Sequence, residues 1–298
     1  MNLTIREFRV FRAVYELRSF SASAGTMHMT QSAVSKLCQE MEAKVGQRLF
    51  ERSTRKVEPT LWADHLYGYA CEILGTMDAA ERTLRSLANL DMGEIDVAAS
   101  PMMMHGLLTV PLQQLHARHP GIHTGLHELS TDATIDYVIN GKADFGLVSM
   151  GQTHPGLQIE PLYDEAMYAV YGAEHPLARQ TTISWEQVAV YPHISLHPAF
   201  SVRRTIDRVY QQKGLSYTSV IEAGTVLSVL GLLKAGLGVA VLPGYIMGFA
   251  ADLGLLSHRL LAADCAHPIS LIRRWNARTS PAAEALIVLL KASLAARA

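Results

Sequence analysis

The stretch Thr30-Gln31-Ser32-Ala33-Val34-Ser35-Lys36-Leu37-Cys38-Gln39-Glu40-Met41-Glu42-Ala43-Lys44-Val45-Gly46 decides the fold. Val34, Cys38, Met41 and Val45 recur at i, i+4, i+7 and i+11, the spacing of one helix face, while Ser32, Ser35, Lys36 and Gln39 project from the other. Thr30 is placed to cap this helix, because its hydroxyl can accept from the free N–H groups of the first turn. Upstream, Phe8, Phe11, Val14 and Tyr15 give a first helix with one apolar stripe, ending near Ser19. Ser21 is placed to cap a short second helix through Met27, and His28-Met29 reads as a tight turn. A three-helix core is expected.

The outer face of the third helix suits a DNA groove. Gln31, Ser32, Ser35 and Gln39 carry hydroxyls and amides that can donate to and accept from base edges, and Lys36 can neutralise a phosphate. The segment from Leu49 to Val57 reads as a short hairpin with Arg52, Arg55 and Lys56 near its tip, a wing for the DNA backbone. Charge distribution agrees. The whole chain of 298 residues has a formal net charge of -1, yet residues 1–60 carry ten Lys+Arg against six Asp+Glu, so a basic head precedes an acidic body. Taken alone, the third helix also reads as an ordinary amphipathic helix with a solvated polar face.

Phe11, Val14, Ser19-Phe20-Ser21, Ala24, Gln31, Ser35, Glu42, Gly46, Leu49-Phe50, Arg52 and Thr60 stand in the order and spacing of one DNA-binding signature. On these residues the chain resembles the LysR-type transcriptional regulators over residues 3–66. It departs from the pattern at Ser32, where proline is usual, at Gly25 in a helical position, and at Cys38, where a larger aliphatic residue is common. The resemblance implies a winged helix-turn-helix, double-stranded promoter DNA as partner, and a homodimer or homotetramer. RNA polymerase is a further candidate partner.

Beyond Pro59, Thr60 can cap a new helix in which Leu66, Ala70, Ile73, Met77, Ala80, Leu84 and Leu87 alternate spacings of four and three, the a/d pattern of a coiled coil. Such a stripe pairs with a second helix or packs on its own domain. The resemblance implies the first, a linker helix that pairs two subunits. Two paired heads would then read two half-sites of an interrupted inverted repeat. Residues 89–93 look like a hinge.

From Glu94 onward strand-like and helical runs alternate, which implies α/β architecture with a mainly parallel sheet. The first set is Ile95–Ser100, a helix through Leu115, Ile122–Glu128, a helix through Ile139 and Asp144–Ser149. The second is Met167–Tyr171, His193–Leu196, a helix Ser201–Gln212, Ser219–Glu222, a helix Thr225–Ala235 and Gly238–Leu242. Pro268–Trp275 and a helix from Pro281 return to the first lobe. His119-Pro120-Gly121, Gly141-Lys142-Ala143-Asp144, His175-Pro176-Leu177-Ala178 and the run Gly236 to Pro243 resemble the LysR-type effector domain, a two-lobed, periplasmic-binding-protein-like body. The expected division is residues 1–58 for the winged head, 59–90 for the linker helix and 91–298 for the effector domain. Lobe I covers about 91–162 and 267–298, lobe II about 163–266.

Ligands of such sheets sit beyond the carboxyl ends of strands, where helix N-termini present free N–H groups. The candidate effector residues are Ser100, Pro101, Met102, Ser130 and Thr131 from the first lobe, and His197, Phe200, Ser201, Gly224 and Thr225 from the second. Ser100, Thr131, Ser201 and Thr225 could add a hydroxyl to a helix N-terminus, which suits a small carboxylate; each also reads as a plain cap. Met102, Met103 and Phe200 could supply an apolar wall, and Arg203 and Arg204 read as a solvated helix face.

Cys38, Cys71 and Cys265 form no ligand spacing or disulfide framework. His116, His119, His123 and His127 are separated by Pro120-Gly121, so a shared metal is not expected, nor any cofactor. The first residues lack a basic, then apolar, leader, and no apolar run is long enough to span a bilayer, so the expectation is a cytoplasmic protein without membrane contact. No GxSxG, P-loop, GxGxxG or HExxH motif speaks for an enzyme. A solute-binding protein sharing the two-lobed body, and an enzyme with an unrecognised site, are the competing classes.

Overall fold

A computed structural model describes residues 2–52, 57–88, 93–260 and 267–296. The chain divides into two compact units, Met1–Leu84 with Ile139–Lys142, and Arg85–Val138 with Ala143–Ala298.

In the first unit, α1 (Ile5–Leu17) begins at a capping box in which Thr4 and Glu7 satisfy each other's backbone N–H, and ends at Arg18 in the left-handed conformation. The second helix, α2 (Phe20–Thr26), is capped by Ser19, whose Oγ accepts from Ala22 N–H. This corrects the expectation for Ser21, which lies inside the first turn: the chain turns two residues earlier, because Phe20 is needed in the core. His28 makes the turn at φ 52. Thr30 caps α3 (Gln31–Val45), and Gly46 at φ 74 ends it. β1 (Phe50–Arg52) pairs antiparallel with β2 (Val57–Pro59), Phe50 opposite Pro59 and Arg52 opposite Val57.

Phe8, Phe11, Val14, Phe20, Ala24, Val34, Cys38, Met41, Leu49 and Phe50 form one core. Phe50 is its centre, with its ring 5.6 Å from Phe11 and edge-on to Phe20 at 6.1 Å.

The long helix α4 (Leu61–Ala88) starts at Thr60 and gives Ala63, Ala70 and Leu74 to the same core, with Leu66 packed beside them. The expected a/d stripe is thus shared out. Ala70 and Leu66 serve the unit's own packing, while Ile73 (37% exposed) and Met77 (36%) face outward with Trp62 (55%) and Tyr69 (66%). The side chains of Leu84 and Leu87 lie outside the described residues.

The second unit holds two five-stranded sheets. Lobe I has the order β4-β3-β5-β12-β6, built from β3 (Glu94–Ala99), β4 (His123–Glu128), β5 (Phe145–Ser149), β6 (Leu157–Asp164) and β12 (Pro268–Arg274). Its helices are α5 (Pro101–Met103), a π-helical turn Met104–Leu108, α6 (Thr109–Arg118), α7 (Thr131–Ile139) and α12 (Pro281–Ala295). Lobe II has the order β11-β7-β10-β8-β9, from β7 (Met167–Tyr171), β8 (His193–Leu196), β9 (Ser219–Ala223), β10 (Val239–Pro243) and β11 (Leu256–Arg259). Its helices include α8 (Trp185–Ala189), α9 (Ser201–Gln212), α10 (Val226–Lys234) and α11 (Met247–Asp252).

In each lobe four strands run in one direction and a single strand, β12 in lobe I and β7 in lobe II, runs against them, so two of the four pairings in each sheet are antiparallel. The sheets are therefore less uniformly parallel than the alternation predicts. β6 and β11, each paired antiparallel with the reversed strand, are edge strands with partly exposed patterns, which carry a weaker signal than the buried β5 or β10.

Candidate functional site

Two regions collect the sequence-predicted residues. On the first, Gln31, Ser32, Lys36 and Gln39 are exposed and Ser35 is half-buried on the outer side of α3. The Ser32 hydroxyl lies 3.0 Å from that of the cap, Thr30, so the residue that replaces the usual proline joins the capping network. Lys36 is within 3.9 Å of Glu40, an exposed i, i+4 pair worth a few tenths of a kcal/mol, roughly 0.3–0.5, and easily surrendered to a phosphate. Arg52 closes β1; its side chain, and all of Arg55 and Lys56, lie outside the described residues.

What fixes α3 is less visible in the sequence. Glu42 Oε1 accepts from the Leu49 N–H at 2.9 Å and the Phe50 N–H at 3.1 Å, tying α3 to the start of the hairpin. Glu7, only 2% exposed, is held by Lys44 Nζ at 2.7 Å and by the Thr4 N–H and hydroxyl. Burial alone would raise its carboxyl pKa, but the Lys44 ammonium and the Thr4 donors outweigh it and hold the group below its ordinary value. Tyr15 and Tyr67 stack at 4.0 Å, and their hydroxyls donate to Asp64 and Glu16, so α1 and α4 are pinned side by side.

In the second unit, Ser100, Pro101 and Met102 from lobe I meet Leu196, Phe200, Gly224, Thr225 and Val226 from lobe II around an opening of about 240 Å³. Six of the ten candidate effector residues are therefore brought together, at the carboxyl ends of β3, β8 and β9. Ser130, Thr131, His197 and Ser201 are not in this lining.

The reasons are local. Ser130, and not Thr131, caps α7, its Oγ accepting from Ala133 N–H; Thr131 is the first helical residue. His197 is exposed, its Nδ1 accepting from Ala199 N–H. Ser201 is likewise the first residue of its helix, with no cap role. Ser100 and Thr225 are true caps, accepting from Met103 and Ser228 N–H, so their hydroxyls are committed to their own helices.

The exception is α9. Phe200 stands at its cap position and supplies no side-chain acceptor, so the first backbone donors of α9 have no cap side chain to satisfy them. Leu196 and Val226 join the wall without having been expected. They lie next to predicted positions on their strand and helix, and only the packing of the lobes reveals them.

Arg203 also departs from the expectation of a solvated face. Its side chain is 13% exposed and forks onto Asp207 at 2.9 and 3.0 Å, Glu222 at 3.0 Å and the Leu196 carbonyl at 3.0 Å, tying α9 to β8 and β9. Arg204 donates to the Ala199 carbonyl. Among the histidines, His116 pairs with Thr124 and His127 with Asp96 at 2.7 Å. No group of three or more metal-ligating side chains occurs among the described residues, and none of their helices is long and apolar enough to cross a membrane.

The model of the bacterial regulatory helix-turn-helix protein, lysR family, matches residues 5–62, and the LysR substrate binding domain matches residues 88–295. The uncharacterised HTH-type transcriptional regulator YbhD of Escherichia coli K12 is 26% identical over 290 residues, 97% of this chain and 92% of that protein. Full-length CbnR complexed with its target DNA superposes with a TM-score of 0.67 at 20% identity, covering 98% of this chain and 100% of CbnR. The effector-binding domain of QuiR in complex with shikimate superposes with a TM-score of 0.60 at 19% identity, covering 69% of this chain and 98% of that domain. With a helix-turn-helix in its first unit and a two-lobed effector domain in its second, the chain belongs to the LysR family of transcriptional regulators.

Proposed function

We propose that this protein is a cytoplasmic, non-enzymatic switch that binds promoter DNA as a homodimer or homotetramer and alters its promoter contacts when a small carboxylate enters the cleft between its lobes. The observation that carries the effector class is the free N-terminus of α9 beside an otherwise apolar wall. No lining side chain bears a charge, so backbone N–H groups and the helix dipole are the features that favour an anion there. Met102, Leu196, Phe200 and Val226 suit an apolar body on the same ligand. QuiR, which holds the hydroxylated carboxylate shikimate in the same kind of domain, supports this class.

For DNA, Gln31, Ser32, Ser35 and Gln39 read base edges, and Lys36 with Arg52, Arg55 and Lys56 neutralises phosphates. CbnR in complex with target DNA supports the use of this head. The exposed Trp62, Tyr69, Ile73 and Met77 on α4 supply the face that pairs two subunits. Residues 1–58, 59–90 and 91–298 then serve as reader, coupler and sensor.

The test is a thermal-shift screen of the full chain against small carboxylates and their uncharged amides, followed by footprinting on the gene's upstream DNA. Stabilisation by an acid but not its amide, with a changed footprint, is expected. An unchanged footprint at saturating ligand would defeat the switch.

A further inference from the structure

Two crossovers connect the lobes, and they meet where each joins lobe I. Glu165, between β6 and β7, donates its N–H to the carbonyl of His267, just ahead of β12, at 3.0 Å. The His267 side chain is wholly buried at this junction. Its Nδ1 lies 3.1 Å from the Ser149 hydroxyl, at the end of β5 in lobe I. The same nitrogen lies 3.1 Å from the Thr205 hydroxyl, on α9 in lobe II.

We propose that His267 is a latch between the lobes, which holds them at their present angle through Ser149 on one side and Thr205 on the other, and that the lobes change angle by releasing Thr205.

Ser149 and His267 belong to one sheet: β5 pairs with β12, and Ser149 stands opposite Ile269, the second residue after His267. They move together, whereas Thr205 is carried by the other lobe, so the Thr205 bond is the one that a change of angle strains. A hydrogen bond at 3.1 Å has little reserve, since a shift of about half an ångström takes it beyond useful geometry.

Both hydroxyls converge on a single ring nitrogen, so each competes for the same lone pair or proton. Neither bond is then at full strength. Burial, with Arg208 farther along α9 adding to it, favours the neutral imidazole, and Nε2 is buried with no hydrogen-bond partner among the described residues. The latched arrangement is thus incompletely satisfied, which makes release cheap and suits a device that must be undone by a small ligand. The α9 helix that carries Thr205 also presents Phe200 and its open N-terminus to the cleft, so occupancy of the cleft and the state of the latch act on the same rigid element.

The latch goes beyond the regulatory reading and does not depend on which ligand or DNA the protein binds. It is tested on the full chain, without ligand, by hydrogen exchange read by mass spectrometry. Thr205→Val keeps the shape and removes the hydroxyl; Thr205→Ser keeps the hydroxyl. His267→Asn places an amide where Nδ1 was; His267→Ala removes it.

Thr205→Val is expected to speed exchange roughly tenfold, the order expected for one lost hydrogen bond, in peptides from both cleft walls, around Met102–Met104 and Val226–Ser228. Protection of β3 and β8 should be unchanged, Thr205→Ser should behave as wild type, and His267→Asn should retain more protection than His267→Ala. If Thr205→Val proves too unstable to measure, Ser149→Ala, which leaves Nδ1 to Thr205 alone, should slow exchange in both cleft walls, and unchanged or faster exchange there would count against the latch. Exchange that rises only in α9 and its own lobe, equal behaviour of Thr205→Ser and Thr205→Val, or no change in either cleft wall would overturn the latch.

Discussion

The outer face of α3 and the cleft between the lobes use the same kinds of residue in opposite ways. On α3 Gln31, Lys36 and Gln39 stand exposed on a helix whose inner face is locked by Phe50, Glu42 and Glu7, which suits the reading role proposed for them. At the cleft the hydroxyls of Ser100 and Thr225 are consumed as caps, and the free donors are the backbone groups of α9, where a phenylalanine occupies the cap position. A reader of DNA needs side chains aimed outward from a rigid base. A sensor of a small anion can work with what its helices leave unpaired.

The largest effect that sharpens this contrast is expected from Phe50→Ala. It empties the centre of the head's core and should lower the head's stability by about 3–5 kcal/mol, the usual cost of truncating a buried phenylalanine. Calorimetry should place the loss in the head's transition; an equal loss in the effector domain would break the distinction between a separately packed reader and sensor.

Acid should divide the regions next. His193 and His267 in the effector domain are pushed down to about 4 from 6.5, chiefly by burial, so their folded forms prefer to stay neutral. The stability they confer is complete above about pH 6.5 and is lost as pH falls toward 4. Glu7 in the head is held below 4.5, so its contribution survives to lower pH and fails only as pH falls below that value. Melting followed from pH 7 to 3 should show the effector domain weakening first, and the reverse order would contradict these assignments.

Smaller effects separate the roles of individual side chains. Gln31→Ala and Ser35→Ala should each cost about 1–3 kcal/mol of discrimination between preferred and altered base pairs, measured by competition binding, with little change on unrelated DNA. Thr225→Ala should cost about 1 kcal/mol of stability through its lost cap, while ligand affinity changes little because the hydroxyl is already committed. A large loss of affinity with no loss of stability would show the cap reading to be wrong.

The head was largely legible in the sequence because its signals are local: Val34, Cys38 and Met41 share one face of a single helix, and Thr30 caps that helix within three residues. The miss at Ser21 came from the same locality, since Ser19 and Ser21 both offer a hydroxyl and only the demand for Phe20 in the core selects the earlier one. The linker stripe was ambiguous for a physical reason, because Ala70 satisfies either a partner helix or the head's own core, and tertiary packing chose the core.

In the effector domain the candidate loops follow from strand ends alone. Which of them converge depends on how two lobes pack, so Leu196 and Val226 were not foreseen and Ser130, Thr131, His197 and Ser201 fell outside the lining. His267 gave no motif at all. Its neighbours Ser149 and Thr205 are 118 and 62 residues away, a convergence that no spacing rule reaches.

The most direct test of the account is the affinity of the full-length protein for its gene's upstream DNA and for unrelated DNA of equal length, across a range of salt. The complex with the upstream DNA is expected to be tighter by roughly a thousandfold or more, with log affinity falling linearly against log salt on both DNAs, and with Gln31→Ala narrowing the difference between them. Equal affinity for the two DNAs at every salt concentration, unchanged by Gln31→Ala, would contradict the assignment of α3 as the reader.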